Sequence, residues 1–176
     1  MGTKAKERTH FYYQIDERLF TLDVKLTDGP LTEDFIKANK KVIRRIEARG
    51  DTTFAELHEA IYAAFDRHDE HMFEFRLNDK RPMDPEAKRY VLPFALEYNW
   101  DTDKPAGDVT TTTIGTLDLK EKDTFNYWFD FGDDWWHEIK VVSINDKAPE
   151  PEKTYPKIIS RKGESPPQYP DWDDVE

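Results

Sequence analysis

The sharpest chemistry this chain offers rests on two histidines and two aspartates: His71, His137 and the adjacent pair Asp133 and Asp134. Two imidazoles with one or two carboxylates make a ligand set for Zn²⁺ or Mn²⁺, and a position left open on such a metal activates water, as in a metal-dependent hydrolase or nuclease. The same residues also have a structural reading, in which a histidine on an apolar strand face is satisfied within the core and paired aspartates form a turn. Asp130 is a second candidate, as a general acid or base, and it needs a partner such as Glu74 on one polar sheet face. Lys37, Lys40, Lys41, Arg44, Arg45 and Arg49 gather positive charge in a stretch broken only by Glu47. Such a run either contacts phosphates or forms a solvated surface paired with acidic neighbours. Trp128 and Trp136, if they lie opposite the core face, make an aromatic platform for a protein or peptide partner; the alternative is that a Pro-rich tail covers them. His58 borders an apolar helix stripe and His68 lies in a charged loop, which gives both a structural or solvated role.

Composition removes several other chemistries. The chain has no cysteine, so disulfides, thiolate metal sites and cysteine nucleophiles are excluded, and a reducing compartment is compatible. A net charge of −11 opposes binding to nucleic acid through the general field of the protein and leaves only a local basic patch for it. Seven glycines form no phosphate-cradling loop, and no Ser-His-Asp signature is present. Met1 to Arg8 leads into no apolar run of signal length, and no stretch approaches the roughly 20 residues that span a bilayer, so the expectation is a cytoplasmic protein without membrane contact.

These residues need elements to hold them. Charged residues reach 36%, but aromatic residues at 14%, five of them tryptophan, supply large buried areas and favour a folded chain with an aromatic core. Phe20, Leu22, Val24 and Leu26 alternate with polar residues, the period of a half-buried strand, which Asp28-Gly29-Pro30 ends. From Thr32 to Gly50 the apolar residues lean to helical spacing, although Val42, Ile46 and Ala48 also share one strand face. Thr53 and Glu56 form a capping box ahead of the stripe Phe54, Leu57, Ile61, Ala64 and Phe65, the clearest helix. His71, Phe73, Phe75 and Leu77 alternate as a strand, and prolines then break the pattern, leaving a short strand around Tyr90 to Leu96 and a helical turn near Ile114 to Leu119.

The segments Phe125–Phe131 and Trp135–Val142 form a β-hairpin about Gly132. A two-residue Gly132-Asp133 turn puts Asp130 and His137 on one face. A three-residue Gly132-Asp133-Asp134 loop gathers Phe125, Tyr127, Phe129, Phe131, Trp135, His137, Ile139 and Val141 on one apolar face. Burial of so many large side chains outweighs a turn preference of about 1 kcal/mol, which favours the second register and points His137 into the core. Beyond Asn145 the chain is Pro-rich and ends acidic, with Tyr155, Ile158, Ile159, Tyr169 and Trp172 available to dock it.

Several motifs taken together resemble the plasmid pRiA4b ORF-3-like family: Arg44-Arg45-Ile46-Glu47, Thr53-Phe54-Ala55-Glu56-Leu57-His58, His71-Met72-Phe73-Glu74-Phe75, Tyr127 to His137 with its Asp-Phe-Gly-Asp-Asp-Trp run, Tyr155-Pro156, and Gly163-Glu164-Ser165-Pro166-Pro167. The likeness runs from about Leu19 to Pro170. It implies an α+β fold, a strand rather than a helix over Val42 to Ala48, and occurrence as a passenger of plasmids and transposable elements; it supplies no activity. Some relatives carry a label borrowed from resolvases, but a serine nucleophile with an arginine cluster is missing here. The chain departs from the family at Gln168-Tyr169-Pro170, where many relatives have an acidic pair and a Gly-Gly step.

The expectation is therefore one α+β domain with a mixed or antiparallel sheet, a packed helix and an extended Pro-rich C-terminal segment. Residues 1–148 form its core, and residues 149–176 dock on the same domain. The leading function is a non-catalytic protein- or peptide-binding module using Trp128, Asp130 and Trp136. The alternatives are a metal-dependent hydrolase or nuclease at the hairpin, holding a divalent metal, and a nucleic-acid accessory factor of a mobile element acting through Lys37 to Arg49, with Arg44 and Arg45 at its centre.

Overall fold

The computed structural model describes residues 15–97 and 105–171. Trp172, counted among the tail's docking groups, lies outside them. Eight strands form a single sheet: β1 (Leu19–Asp28), β2 (Ile43–Arg49), β3 (Phe73–Leu77), β4 (Lys88–Val91), β5 (Gly107–Asp108), β6 (Thr124–Phe129), β7 (Trp135–Asn145) and β8 (Lys157–Lys162). Their order is β5-β4-β3-β6-β7-β1-β2-β8. Only β4 and β5 run parallel; every other neighbouring pair is antiparallel. The architecture is therefore the expected α+β domain with a mixed sheet.

One helix covers the inner face. Helix α2 (Phe54–Ala64) starts at Thr53, whose hydroxyl accepts from the Glu56 N–H while the Glu56 carboxylate accepts from the Thr53 N–H. This capping box satisfies two of the donors that a helix start leaves unpaired. The buried stripe of α2 carries aromatic groups onto the sheet: Phe54 stacks on Phe75 at 4.3 Å between ring centroids, and His58 lies flat on Phe73 at 3.7 Å. Phe20, Phe65, Phe125, Tyr127, Phe129 and Trp135 complete a core that is aromatic, as the composition requires. Gly29 lets the turn after β1 close on this core, because a Cβ there would collide with the Trp135 ring.

The segment with mixed periodicity splits in two. Helix α1 (Glu33–Ala38), capped by Thr32, precedes β2, so the helical spacing belongs to the first half and the strand face to the second. The strand placed around Tyr90 to Leu96 is shorter than expected: β4 ends at Val91, and Pro93–Glu97 forms a helix, α3, since proline suits a helix's first turn and cannot donate to a ladder. A 3₁₀ turn occupies Ile114–Leu117. The C-terminal segment adds β8 to the edge of β2 before running on past Gly163. None of the helices among the described residues is long and apolar enough to cross a membrane.

Candidate functional site

The β6–β7 hairpin positions most of the candidate residues, and its geometry departs from both loop lengths considered. Phe129 pairs with Trp135, Trp128 with Trp136, and Tyr127 with His137, which leaves a five-residue loop from Asp130 to Asp134. Asp130 and Asp134 both adopt left-handed backbone, each at φ 56°, a conformation that aspartate tolerates better than most residues. The Asp130 carboxylate accepts from the N–H groups of Gly132 (3.1 Å) and Asp133 (3.3 Å), and its carbonyl accepts from the Asp134 N–H at 2.7 Å. Relative to a three-residue loop the pairing slips by two residues. Such a slip preserves which face each side chain takes, so only Phe131 leaves the apolar face.

Phe131 crosses to the outer face and joins the two tryptophans. Its ring stacks on Trp128 at 4.1 Å, and Trp128 stacks on Trp136 at 4.9 Å with the planes 7° apart. The Trp128 indole N–H donates to the Asp134 carboxylate at 2.9 Å, which fixes the middle ring. Phe131 and Trp128 are half-buried, whereas Trp136 is only 8% exposed, so the platform presents two rings and rests on the third. Beside it, Glu74 is cross-strand from Trp128. Glu74 is buried and accepts from Arg76 (2.6 Å) and Arg89 (2.8 Å), and Arg76 also donates to Asp79 at 2.8 Å. It therefore serves this ion network and is not the partner expected for Asp130.

The partner of Asp130 is His71. The His71 Nε2 lies 3.4 Å from the Asp130 carboxylate and 2.9 Å from the Tyr169 hydroxyl, on an exposed rim. His137 is on the inner face, buried against Phe65 and Tyr127. Burial, and then the nearby Arg67 charge, push its pKa down to about 3, so it is neutral near pH 7. His71 thus sits on an exposed rim against Phe129 and His137 in the buried core, with Asp133 and Asp134 in the hairpin loop. Among the described residues no group of three His, Asp or Glu side chains is placed to hold a metal ion. His58 is also a core group: its Nδ1 is 2.8 Å from the Tyr127 hydroxyl, and burial lowers its pKa to about 4. His68 is exposed, and its backbone N–H is held by Gln168.

The basic stretch divides between the two faces of β2. Arg44 points inward, and its guanidinium donates to the carbonyls of Ala64, Ile43, Lys162 and Gly163 and to the Ser165 hydroxyl, at 2.8 to 3.1 Å. It ties the end of α2 to the C-terminal segment and is buried, which takes it out of any surface that could meet phosphates. Arg45 points outward and forms a two-point ion pair with Asp23. Arg49 pairs with Asp51, leaving Lys37, Lys40 and Lys41 as the exposed cations. Arg44 has the same parity as Val42, Ile46 and Ala48, and that alternation was the signal for its burial.

Three side chains to which the sequence reading assigns no site role matter here. Arg67 follows the C-terminus of α2 and lays its guanidinium 3.7 Å over the Trp135 ring. Gln168 is buried and clamps the 68–69 backbone by accepting from the N–H groups of His68 and Asp69 and donating to the Asp69 carbonyl. Tyr169 meets His71. The last two occupy the positions where the sequence departs from the family pattern.

The family model for plasmid pRiA4b ORF-3-like protein matches residues 33–171. An uncharacterized protein, y4hQ, of Sinorhizobium fredii (strain NBRC 101917 / NGR234) is 26% identical over 117 residues, which cover 66% of this chain and 49% of that protein, so the chain spans about half the length of this relative. A crystal structure of a protein of unknown function, MM3350 from Methanosarcina mazei Go1, superposes with a TM-score of 0.62 at 22% identity, covering 86% of this chain and 73% of that one, which shows a shared fold. On the extent of the family match, this chain belongs to the plasmid pRiA4b ORF-3-like protein family.

Proposed function

We propose that the domain is a non-catalytic binding module that engages a protein or peptide segment through the Phe131–Trp128–Trp136 stack on the outer sheet face. The observation behind this reading is that the three rings belong to no part of the hydrophobic core, which lies across the sheet beneath α2. Stacked rings pre-ordered by a hydrogen bond to Asp134 lose little side-chain freedom when a ligand covers them. With both faces of Trp128 taken by Phe131 and Trp136, a ligand meets the edge of the stack and the outer face of Phe131, which suit proline or aromatic side chains of an extended peptide. The flanking Glu74–Arg76–Arg89 network keeps one edge rigid and charged.

The test is a display selection of random peptides on the wild-type chain, repeated on Trp128→Ala protein. Peptides carrying proline or aromatic residues should be enriched on the first and fail on the second. Enriched peptides that bind Trp128→Ala protein equally well would end this reading.

A further inference from the structure

The opposite face of the same hairpin end carries a second, independent feature. Arg67 is 7% exposed, and neither of its two Nη atoms reaches solvent or finds a hydrogen-bond partner among the described residues. Its guanidinium rests on Trp135, whose indole Nε1 is likewise buried and unpaired, and the same holds for both ring nitrogens of His137, two residues further along β7 on the same face. Asp130, one of the loop carboxylates whose charge acts on this guanidinium, is already committed: it accepts from two backbone N–H groups and faces His71.

Energetics make this arrangement incomplete. Stacking of a cation over a desolvated indole offsets only part of the desolvation cost of a buried charge that lacks hydrogen-bond partners. The guanidinium remains cationic near pH 7 although burial lowers its pKa to about 10. We infer that Arg67, with the indole N–H of Trp135 and the imidazole of His137 on the same strand face, forms a receptor for a carboxylate group. The planar fork of two Nη atoms matches two carboxylate oxygens. A monoanion suits the place better than a phosphate dianion, because the charges of Asp130 and Asp133 also act on this guanidinium.

Entry lies along the C-terminal segment. Residues 165–169 run beside the 66–71 loop, held by Ser165 on Asp66 (2.6 Å), by Gln168 on His68 and Asp69, and by Tyr169 on His71. These bonds lie beyond the sheet ladder, whose last strand ends at Lys162, and beside the loop that carries Arg67. The inference does not rest on the outer-face reading.

It is tested by ¹H–¹⁵N NMR of the full chain, following the Trp135 indole N–H during titration with sodium acetate, sodium phosphate and, at matched ionic strength, sodium chloride. Acetate should produce a saturable shift that chloride does not, lost in Arg67→Gln and retained in Trp128→Ala. If Arg67→Gln does not fold, Arg67→Lys, which keeps the charge without the fork, should weaken the acetate response at least tenfold. A short peptide with a free C-terminal carboxylate, compared with its amide, separates the sources: tighter binding than acetate, lost in the amide, assigns the site to a chain end, and binding no tighter than acetate assigns it to a small acid. No saturable shift with acetate, a response to phosphate alone, or a shift that survives Arg67→Gln would overturn the inference and leave buried water as the partner of these groups.

Discussion

Adjacent arginines in this chain serve opposite purposes. Arg44 is a buried cation, each of whose guanidinium nitrogens donates to a carbonyl or a hydroxyl, and removing it unties the end of α2 from the C-terminal segment. Arg45 sits at the surface beside Asp23, with its side chain 41% exposed. Arg44→Ala should therefore cost about 1–3 kcal/mol, and Arg45→Ala less than about 1 kcal/mol, as read from urea unfolding; equal effects would contradict the assignment. The buried histidines make a second prediction. His58 and His137 have folded pKa values of about 4 and about 3, below the ordinary value of 6.5. The unfolded chain then binds more protons in between, so their stability contribution is complete above about pH 6.5 and is lost as pH falls toward the folded values. Each contributes a slope approaching about 1.4 kcal/mol per pH unit in that window. His137→Phe should remove about half of the histidine-dependent slope between about pH 6.5 and about pH 5, where the ordinary carboxylates have barely begun to titrate. An unchanged slope in unfolding experiments across that range would place His137 in water.

Elements were legible in the sequence where one face is apolar. Alternation in β1, β6 and β7 identifies the inward residues of those strands, including His137, because a two-residue period ties burial to parity, and the stripe of α2 identifies its buried face apart from His58 and Ala60. The hairpin loop was not legible, since registers that differ by two residues bury the same side chains and only the backbone of Asp130 and Asp134 separates them. The polar face of β3 was misread for a different reason: Glu74 and Arg76 satisfy one another, and the following loop adds Asp79 and the Asp84 carbonyl, so charged residues are buried there as a network. The loop makes its own prediction. Asp134→Gly relieves the left-handed backbone but loses the bond to Trp128, so stability should stay within about 1 kcal/mol of wild type. Asp134→Ala keeps the backbone cost and loses the bond, and should destabilise by about 1–2 kcal/mol in thermal or urea unfolding.

At the scale of the molecule, the C-terminal segment is structural as well as peripheral. It supplies β8 to the sheet edge, three of the acceptors of Arg44, and the Gln168 clamp on the loop that carries Arg67. A chain ending at Pro156 should consequently lose its single cooperative unfolding transition and become sensitive to trypsin; a truncated chain that still unfolds cooperatively near the wild-type midpoint would show the segment to be dispensable. The same segment is hard to read from sequence, because its prolines suggest an extended tail while its bonding partners lie about 100 residues away and leave no local pattern.

The sheet thus separates an aromatic core beneath α2 from an outer stack of three rings, and the proposed function stands on that separation. Its most direct test is the calorimetric affinity of a selected peptide for wild type, Trp128→Ala and Ile159→Ala, the last removing an exposed apolar side chain on β8. Weakening of at least about tenfold, or about 1.4 kcal/mol, is expected for Trp128→Ala with Ile159→Ala unchanged. Equal affinity of wild type and Trp128→Ala would contradict the account.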